Sequence, residues 1–513
     1  MARMFSPWRC RSLAPLATLL LALWQPVQAD PPVDFSQRQE RITRRALDPS
    51  FQRLHRLTLD KTVKLYGDVL AQIEVHYVDE VKFQQLYQYG LDNLELALDN
   101  PAFLRVLFPN VPPERRDYLV ARCREVIRQH RPQMGELLVT NRFRAQEEVE
   151  AIALGMEQCA GAKPTVVVLE FVCATCEALD EYSAYLTPDR FLFEYALSQS
   201  DMAGIGVRLD QVDGRILIAA VEPGSPAALK GVQPNDQVLR VDRTPVRNLT
   251  KDEVELLLLG RDGTTVTLEL QGALDPAPRR VQVTRLLASV PSISDARIVD
   301  PEHGIAYIHI AFFHTSTPAE LDAALARLRT QGMRALILDL RGNPGGLLDV
   351  ALEVADRFID SGVIAFRKGR SPGVTAVHEA QASEQDLTVP LVVLIDGDSA
   401  SASEVIAGAI KDHRRGVLVG QRSYGKGSVQ YLVRITIFQS GIAMHCGIRL
   451  TVARLYSPLD SPYGEHGVTP DILVDRPLDD SGMEPSMASV MELQRYQFKV
   501  ALQTARELLP PKP

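Results

Sequence analysis

Two short apolar runs constrain this chain more than any other feature. "ALILDL" (335–340) reads straight into the turn "RGNPGG", and "VPLVVLI" (389–395) into "DGDSASASE". Each turn is followed by a stretch with apolar residues at helical spacing, "LLDVALEVADRFI" (347–359) and "SEVIAGAIKDH" (403–413). A strand that is apolar on both faces belongs inside a mostly parallel sheet covered by helices. "GIAYIHI" (304–310), "TPAELDAALARLRTQG" (317–332, with a threonine cap and a terminal glycine) and "GVLVG" (416–420) continue the alternation. Ligands of such sheets sit where strands end and helices begin. The glycine turn and the serine cluster both lie at such points.

The rest of the chain reads differently. Its 513 residues are enough for about three domains. Residues 1–29 have the form of a secretory signal: Arg3, Arg9 and Arg11, an apolar run from Leu13 to Trp24, and Val27-Gln28-Ala29 as a small-residue cleavage site. An uncleaved N-terminal anchor is the alternative. Removing this segment takes three arginines and no acid from a chain of formal charge −8, leaving −11. That charge, with no basic run, argues against a nucleic-acid partner. Export permits disulfides, and Cys123, Cys159, Cys173, Cys176 and Cys446 remain after the leader. A disulfide among the first four is the plainest expectation, ahead of a redox pair or half a zinc site at Cys173-x-x-Cys176. The odd count leaves a free thiol. Residues 30–200 carry long helical periodicities, such as Val63, Leu65, Tyr66, Val69, Leu70 and Ile73, and no compact catalytic motif.

From about 201 to 285 the pattern becomes short strands with turn signals. "GIGV" (204–207) is followed by "GSPAALKGVQPNDQVLRVD" (224–242), an apolar helix and a closing strand. These residues resemble a PDZ domain, the competing reading being a generic small β-domain. The resemblance implies that Gly204, Ile205, Gly206 and Val207 form a loop whose N–H groups cradle a chain-terminal carboxylate. The next strand would then pair with the peptide.

"Ser401-Ala-Ser-Glu404" matches the capping box S-x-x-E, and a helix cap is the bland reading of the serine cluster. Its company argues for more. "GQRSYGKGSVQ" (420–430) follows, "LDLRGNPGG" precedes, and "YGEHGVTPDI" (463–472) comes after. Together, and behind a PDZ-like module, these motifs resemble the carboxyl-terminal processing peptidases, also called tail-specific proteases. "ALDEYSAYLTP" (178–188) resembles the segment that precedes the PDZ module in that family, but has Glu181-Tyr182 where Pro-His is common. The resemblance implies Ser401 as nucleophile, Lys426 as general base and Gln430 as the residue that orients the lysine, with Ser399 and Ser403 as competitors for the first role. A Ser–Lys dyad needs a lysine that is largely neutral, which burial favours. The glycines beside Lys426 let backbone pack close around it. The oxyanion would be held by the N–H of Ala402, at a helix start, and by that of Gly345 or Gly346, with Gly346 favoured.

The expected architecture is therefore α/β and multi-domain. It has a signal peptide (1–29), an N-terminal helical domain (30–200), a PDZ domain (201–285), a crotonase/ClpP-like βαβ-type catalytic domain (286–480) and a C-terminal helical tail (481–513). The expected function is that of a secreted serine endopeptidase, periplasmic or extracellular, or membrane-associated if the leader stays. It would bind protein C-termini and cleave near them. Its partners are protein or peptide substrates with free C-termini; an adaptor protein and a homo-oligomer are left open. No cofactor motif and no metal-binding pattern occurs. The alternatives are a gated or inactive PDZ scaffold, adaptor-dependent in its proteolysis, and a crotonase-like acyl-transfer enzyme.

Overall fold

The structure is a computed structural model. It describes residues 35–133, 135–198, 202–212, 214–222, 224–247, 249, 251–272, 277–286, 292–371, 373–382, 387–439, 442–464, 466–475 and 487–510. The expected leader, 1–29, lies outside the described residues.

The two apolar runs form neighbouring strands, Ala335–Asp339 and Leu391–Ile395, buried at every position. They sit at the centre of a six-stranded sheet. Its spatial order is Ile293–Asp300, Ile305–Ile310, Ala335–Asp339, Leu391–Ile395, Val417–Gly420 and Ile472–Leu473. The first pair is antiparallel and all the others are parallel. Alternate residues face opposite layers. Leu336, Leu338, Leu391, Val393 and Ile395 pack with Leu321, Leu325, Val350, Val354, Val405 and Ile406 of the helices Thr317–Thr330, Leu348–Asp356 and Ala402–Asp412. Ala335, Ile337, Val392 and Leu394 pack with Ala501 and Ala505 of the C-terminal helix Met487–Glu507. Both faces being covered is the reason these strands carry no polar alternation. The helix after the strand Ile305–Ile310 begins at Thr317 rather than being capped by it; Ser316 holds the cap position.

A second sheet is built on a long hairpin, Ser428–Gln439 with Ile442–Tyr456, which leaves the six-stranded sheet just after Lys426. Ile435, Ile437, Cys446, Ile448 and Leu450 of this hairpin belong to the same core as Tyr66, Tyr87 and Phe171 of the N-terminal helices. The helical region is thus docked on the hairpin. Ala184–Leu186 adds to the hairpin edge, opposite Arg449, Ile448 and Gly447.

All five cysteines of the described chain are free thiols, which corrects the expected disulfide. Cys173 and Cys176 lie one turn apart on the helix Pro164–Glu177, and both side chains are spent on core packing. Burial pushes the Cys123 thiol up to about 12 and that of Cys446 to about 11, as befits structural rather than reactive cysteines.

The PDZ-like unit is a sheet whose main path runs in the order Val207–Val212, Arg215–Val221, Gln237–Val241, Thr265–Gln271 and Arg279–Thr284. Its core is separate and includes Ile205, Ile218, Val238, Val254 and Leu268.

Candidate active site

The three serines have different surroundings. Ser399 is fully buried; its Oγ donates to the Leu340 carbonyl at 2.8 Å and accepts the Asp396 N–H at 3.0 Å. Ser403 is equally buried, its Oγ donating to the Asn343 carbonyl at 3.0 Å. Both hydroxyls tie the serine turn to the glycine turn. Ser401 alone is part-exposed, and its Oγ donates no hydrogen bond among the described residues. It occupies the N-cap of the helix Ala402–Asp412 with a φ of +54°, a region that non-glycine residues rarely adopt and that clusters at functional sites.

Glu404 holds this turn to the lysine loop. Its carboxylate is fully buried and accepts four donors. One oxygen takes the Ser401 N–H at 2.7 Å and the Lys426 N–H at 2.9 Å; the other takes the Ser423 hydroxyl at 2.6 Å and the Gly425 N–H at 2.7 Å. Burial pushes its carboxyl up, and the donors oppose that shift. The capping-box glutamate therefore does more than close a cap. It brings the backbones of Ser401 and Lys426 to a single oxygen atom. That role was invisible in sequence, because three of its four donors, on Ser423, Gly425 and Lys426, lie about twenty residues away.

The glycines beside Lys426 answer a close approach. A Cβ on Gly427 would lie 2.2 Å from the Gly464 nitrogen, and one on Gly425 would sit 3.2 Å from that of Gly467 at a φ of +96°. Lys426 is part-buried. Desolvation, and then the Arg449 charge, hold its ammonium below the ordinary lysine value, while Glu181 and Glu404 pull the other way. Among the described residues no hydrogen bond joins Lys426 Nζ to Ser401 or to Gln430; the amine lies 5.3 Å from the centroid of the Tyr182 ring. The Gln430 amide donates to Ser428 Oγ at 2.8 Å and Thr451 Oγ1 at 3.3 Å.

At the glycine turn the two candidate donors separate. The Gly345 N–H is taken by the Asn343 side chain at 2.8 Å. Gly346 is exposed, and its N–H has no hydrogen-bond partner among the described residues, as is also true of the Ala402 N–H. Gly345 is required for a different reason. At a φ of +106°, a Cβ there would lie 2.9 Å from Ser401 Cβ and 3.1 Å from the Ala402 nitrogen. It is the surface on which the serine turn rests. Asp396 joins the two turns from below, accepting the N–H groups of Gly342 at 2.9 Å and Ser399 at 3.1 Å.

In the PDZ-like unit the loop carbonyls point inward. Gly204 O accepts from Leu286, Ile205 O from Ala227 and Gly206 O from Glu222, at 2.9–3.0 Å. The N–H groups of Ile205 and Gly206 have no partner among the described residues. Val207 opens the strand Val207–Val212, which lies at the edge of its sheet. A Cβ on Gly206, at a φ of +77°, would meet Ser225 Cβ at 2.2 Å, so only glycine fits. Among the described residues no group of three His, Cys, Asp or Glu side chains is placed to hold a metal ion, and no helix is long and apolar enough to cross a membrane.

A parallel sheet with a serine turn and a glycine turn at its strand ends, behind a PDZ-like unit, defines a class, and sequence comparison agrees with it. The model of Peptidase family S41 matches residues 304–474, and that of the PDZ domain residues 196–271. The carboxyl-terminal-processing protease of Synechocystis sp. is 33% identical over 346 residues, 66% of this chain and 76% of that protein. The carboxy-terminal-processing protease of Bartonella bacilliformis is 32% identical over 305 residues, 59% of this chain and 68% of that protein. A solved photosystem II D1 C-terminal processing protease, 23% identical, overlaps 84% of this chain and 96% of its own with a TM-score of 0.41. The chain belongs to the carboxyl-terminal-processing proteases of peptidase family S41 and carries a PDZ domain.

Proposed function

We propose that this protein is an exported serine endopeptidase that captures polypeptide C-termini in its PDZ groove and cleaves near them with Ser401 and Lys426. The observation that carries the reading is the contrast among the three serines. Ser399 and Ser403 spend their hydroxyls on buried carbonyls, while Ser401 keeps its own at the start of a helix beside an unpartnered N–H.

The chemistry follows from this arrangement. Neutral Lys426 takes the proton as Ser401 Oγ attacks the scissile carbonyl. The tetrahedral oxyanion is held by the N–H groups of Ala402 and Gly346, where the helix dipole adds to the attraction. The resulting ammonium protonates the leaving amine. A water molecule then repeats the attack on the acyl-enzyme, with Lys426 again as base. The depressed lysine pKa supports this role, since it raises the fraction of neutral amine near neutral pH. Gln430 has a carbonyl oxygen without a partner among the described residues, and it serves to orient the ammonium. The N–H groups of Ile205 and Gly206, unpartnered among the described residues and beside the edge strand from Val207, suit a terminal carboxylate followed by an added peptide strand. The basic start and apolar run of residues 1–29 support export.

A gated form of the same enzyme is the second reading, favoured by the missing hydrogen bond between the Lys426 amine and Ser401. Family membership sets the acyl-transfer alternative aside. The test is to incubate the purified protein with an unstructured polypeptide bearing either a free or an amidated C-terminus. Faster truncation of the free form is expected. Equal rates would remove the PDZ-delivery step, and truncation only on adding a second protein would select the gated form.

A further inference from the structure

Lys426, which the proposed chemistry requires, makes no side-chain hydrogen bond among the described residues and lies beside an aromatic ring. Lys426 Nζ faces Tyr182 at 5.3 Å, within the range of a cation–π contact. Tyr182 comes from the segment before the PDZ domain, where this chain departs from the pattern it otherwise resembles. Its backbone is anchored on every side. One Asp180 oxygen accepts the N–H groups of Tyr182 at 2.8 Å and Ser183 at 2.6 Å. Ser183 Oγ accepts the Thr451 N–H at 3.2 Å. Arg449 Nε donates to the Tyr182 carbonyl at 2.8 Å, and the same guanidinium pairs with Glu194 at 3.2 Å. Glu194 lies on the helix Pro188–Ser198. A turn tied this firmly to the strand Ile442–Tyr456 presents its aromatic ring at a fixed place beside the lysine loop.

We propose that Tyr182 is a positioning residue for Lys426, its ring forming the wall that holds the lysine amine at the site and shields it from water. The proposal rests on the reading of Lys426 as the base. The charged groups facing Lys426 are Arg449 from the hairpin, Glu181 from the same turn and Glu404 from the nucleophile helix. Removing the ring admits water and leaves both carboxylates in place, so the amine returns toward its ordinary basicity. The lost cation–π attraction acts in the opposite sense and is the smaller effect at a part-exposed site.

The test compares kcat, KM and the pH dependence of kcat/KM for the wild-type protein, Tyr182→Ala, Tyr182→Phe and Lys426→Ala. The turn is anchored through its backbone and Asp180, so the alanine variant should stay folded, which thermal melting checks. Tyr182→Ala is expected to lower kcat about tenfold with little change in KM. It should also move the rising limb of the profile to higher pH. Tyr182→Phe, which keeps the ring, should recover most of both losses. An alanine variant with the wild-type kcat and limb overturns the proposal, as does a phenylalanine variant as impaired as alanine. Inactive Lys426→Ala beside an unaffected Tyr182→Ala overturns the Tyr182 assignment alone. Active Lys426→Ala overturns the base itself, and the positioning role with it.

Discussion

Glu404 shows how much of a site can depend on one carboxylate. Its four donors leave the buried charge fully hydrogen-bonded, and they come from both the serine turn and the lysine loop. An amide of the same shape has one oxygen to accept with and an NH2 group that would face donors. Glu404→Gln should therefore lose about 1–3 kcal/mol of stability for unsatisfied buried groups. It should also lose roughly a hundredfold in kcat, because the serine and lysine backbones are no longer fixed to one point. Thermal melting and steady-state kinetics read the two effects; unchanged kcat in the folded variant would show that Glu404 caps a helix and nothing more. Of this residue the sequence disclosed only the cap, through the S-x-x-E spacing. The proposed nucleophile was more legible, but only through the resemblance carried by the neighbouring motifs, since position alone makes Ser401 a helix cap. The choice between Gly345 and Gly346 was not settled there, because it depends on which N–H the Asn343 side chain takes.

At the scale of elements, the strands and helices of the catalytic layer were readable because double burial removes polar alternation from Ala335–Asp339 and Leu391–Ile395. The long hairpin after Lys426 was not. Its strands carry mixed residues such as Arg434, Thr436 and His445, because one face packs on the helical region and the rest is part-exposed. The N-terminal helices have their own pH sensitivity. His55 is buried beside Phe51, and its Nε2 has no hydrogen-bond partner among the described residues. Burial, and then the nearby Lys163, push it down to about 4. A histidine whose folded pKa is depressed stabilises the fold above its unfolded value of about 6.5, and that stability is lost as pH falls toward the folded value. The protein should thus lose about 3 kcal/mol on this account between pH 6.5 and 4. Denaturant unfolding across that range should show a shallower loss for His55→Leu than for the wild-type protein; parallel curves would contradict the assignment.

The whole molecule joins three layers around one site. The N-terminal helices share a core with the hairpin that begins after Lys426. The C-terminal helix covers the second face of the catalytic sheet. It also reaches the glycine turn through Arg341, which donates to the Gln494 carbonyl at 2.8 Å and the Gln497 side chain at 3.1 Å. In sequence this last segment reads as a helical tail; its target could not be read, because the face it covers is formed by strands from separate stretches of chain. The central claim concerns only the middle of this assembly: Ser401, assisted by Lys426, cuts the polypeptide. The most direct measurement follows truncation of an unstructured polypeptide by mass spectrometry with the wild-type protein and the Ser401→Ala, Ser399→Ala and Ser403→Ala variants, each shown by melting to be folded. Ser401→Ala should leave the polypeptide intact, a loss on the order of a thousandfold or more, while the other two keep cleaving at reduced stability. Truncation that persists in Ser401→Ala, or that vanishes only in Ser399→Ala or Ser403→Ala, would contradict the account.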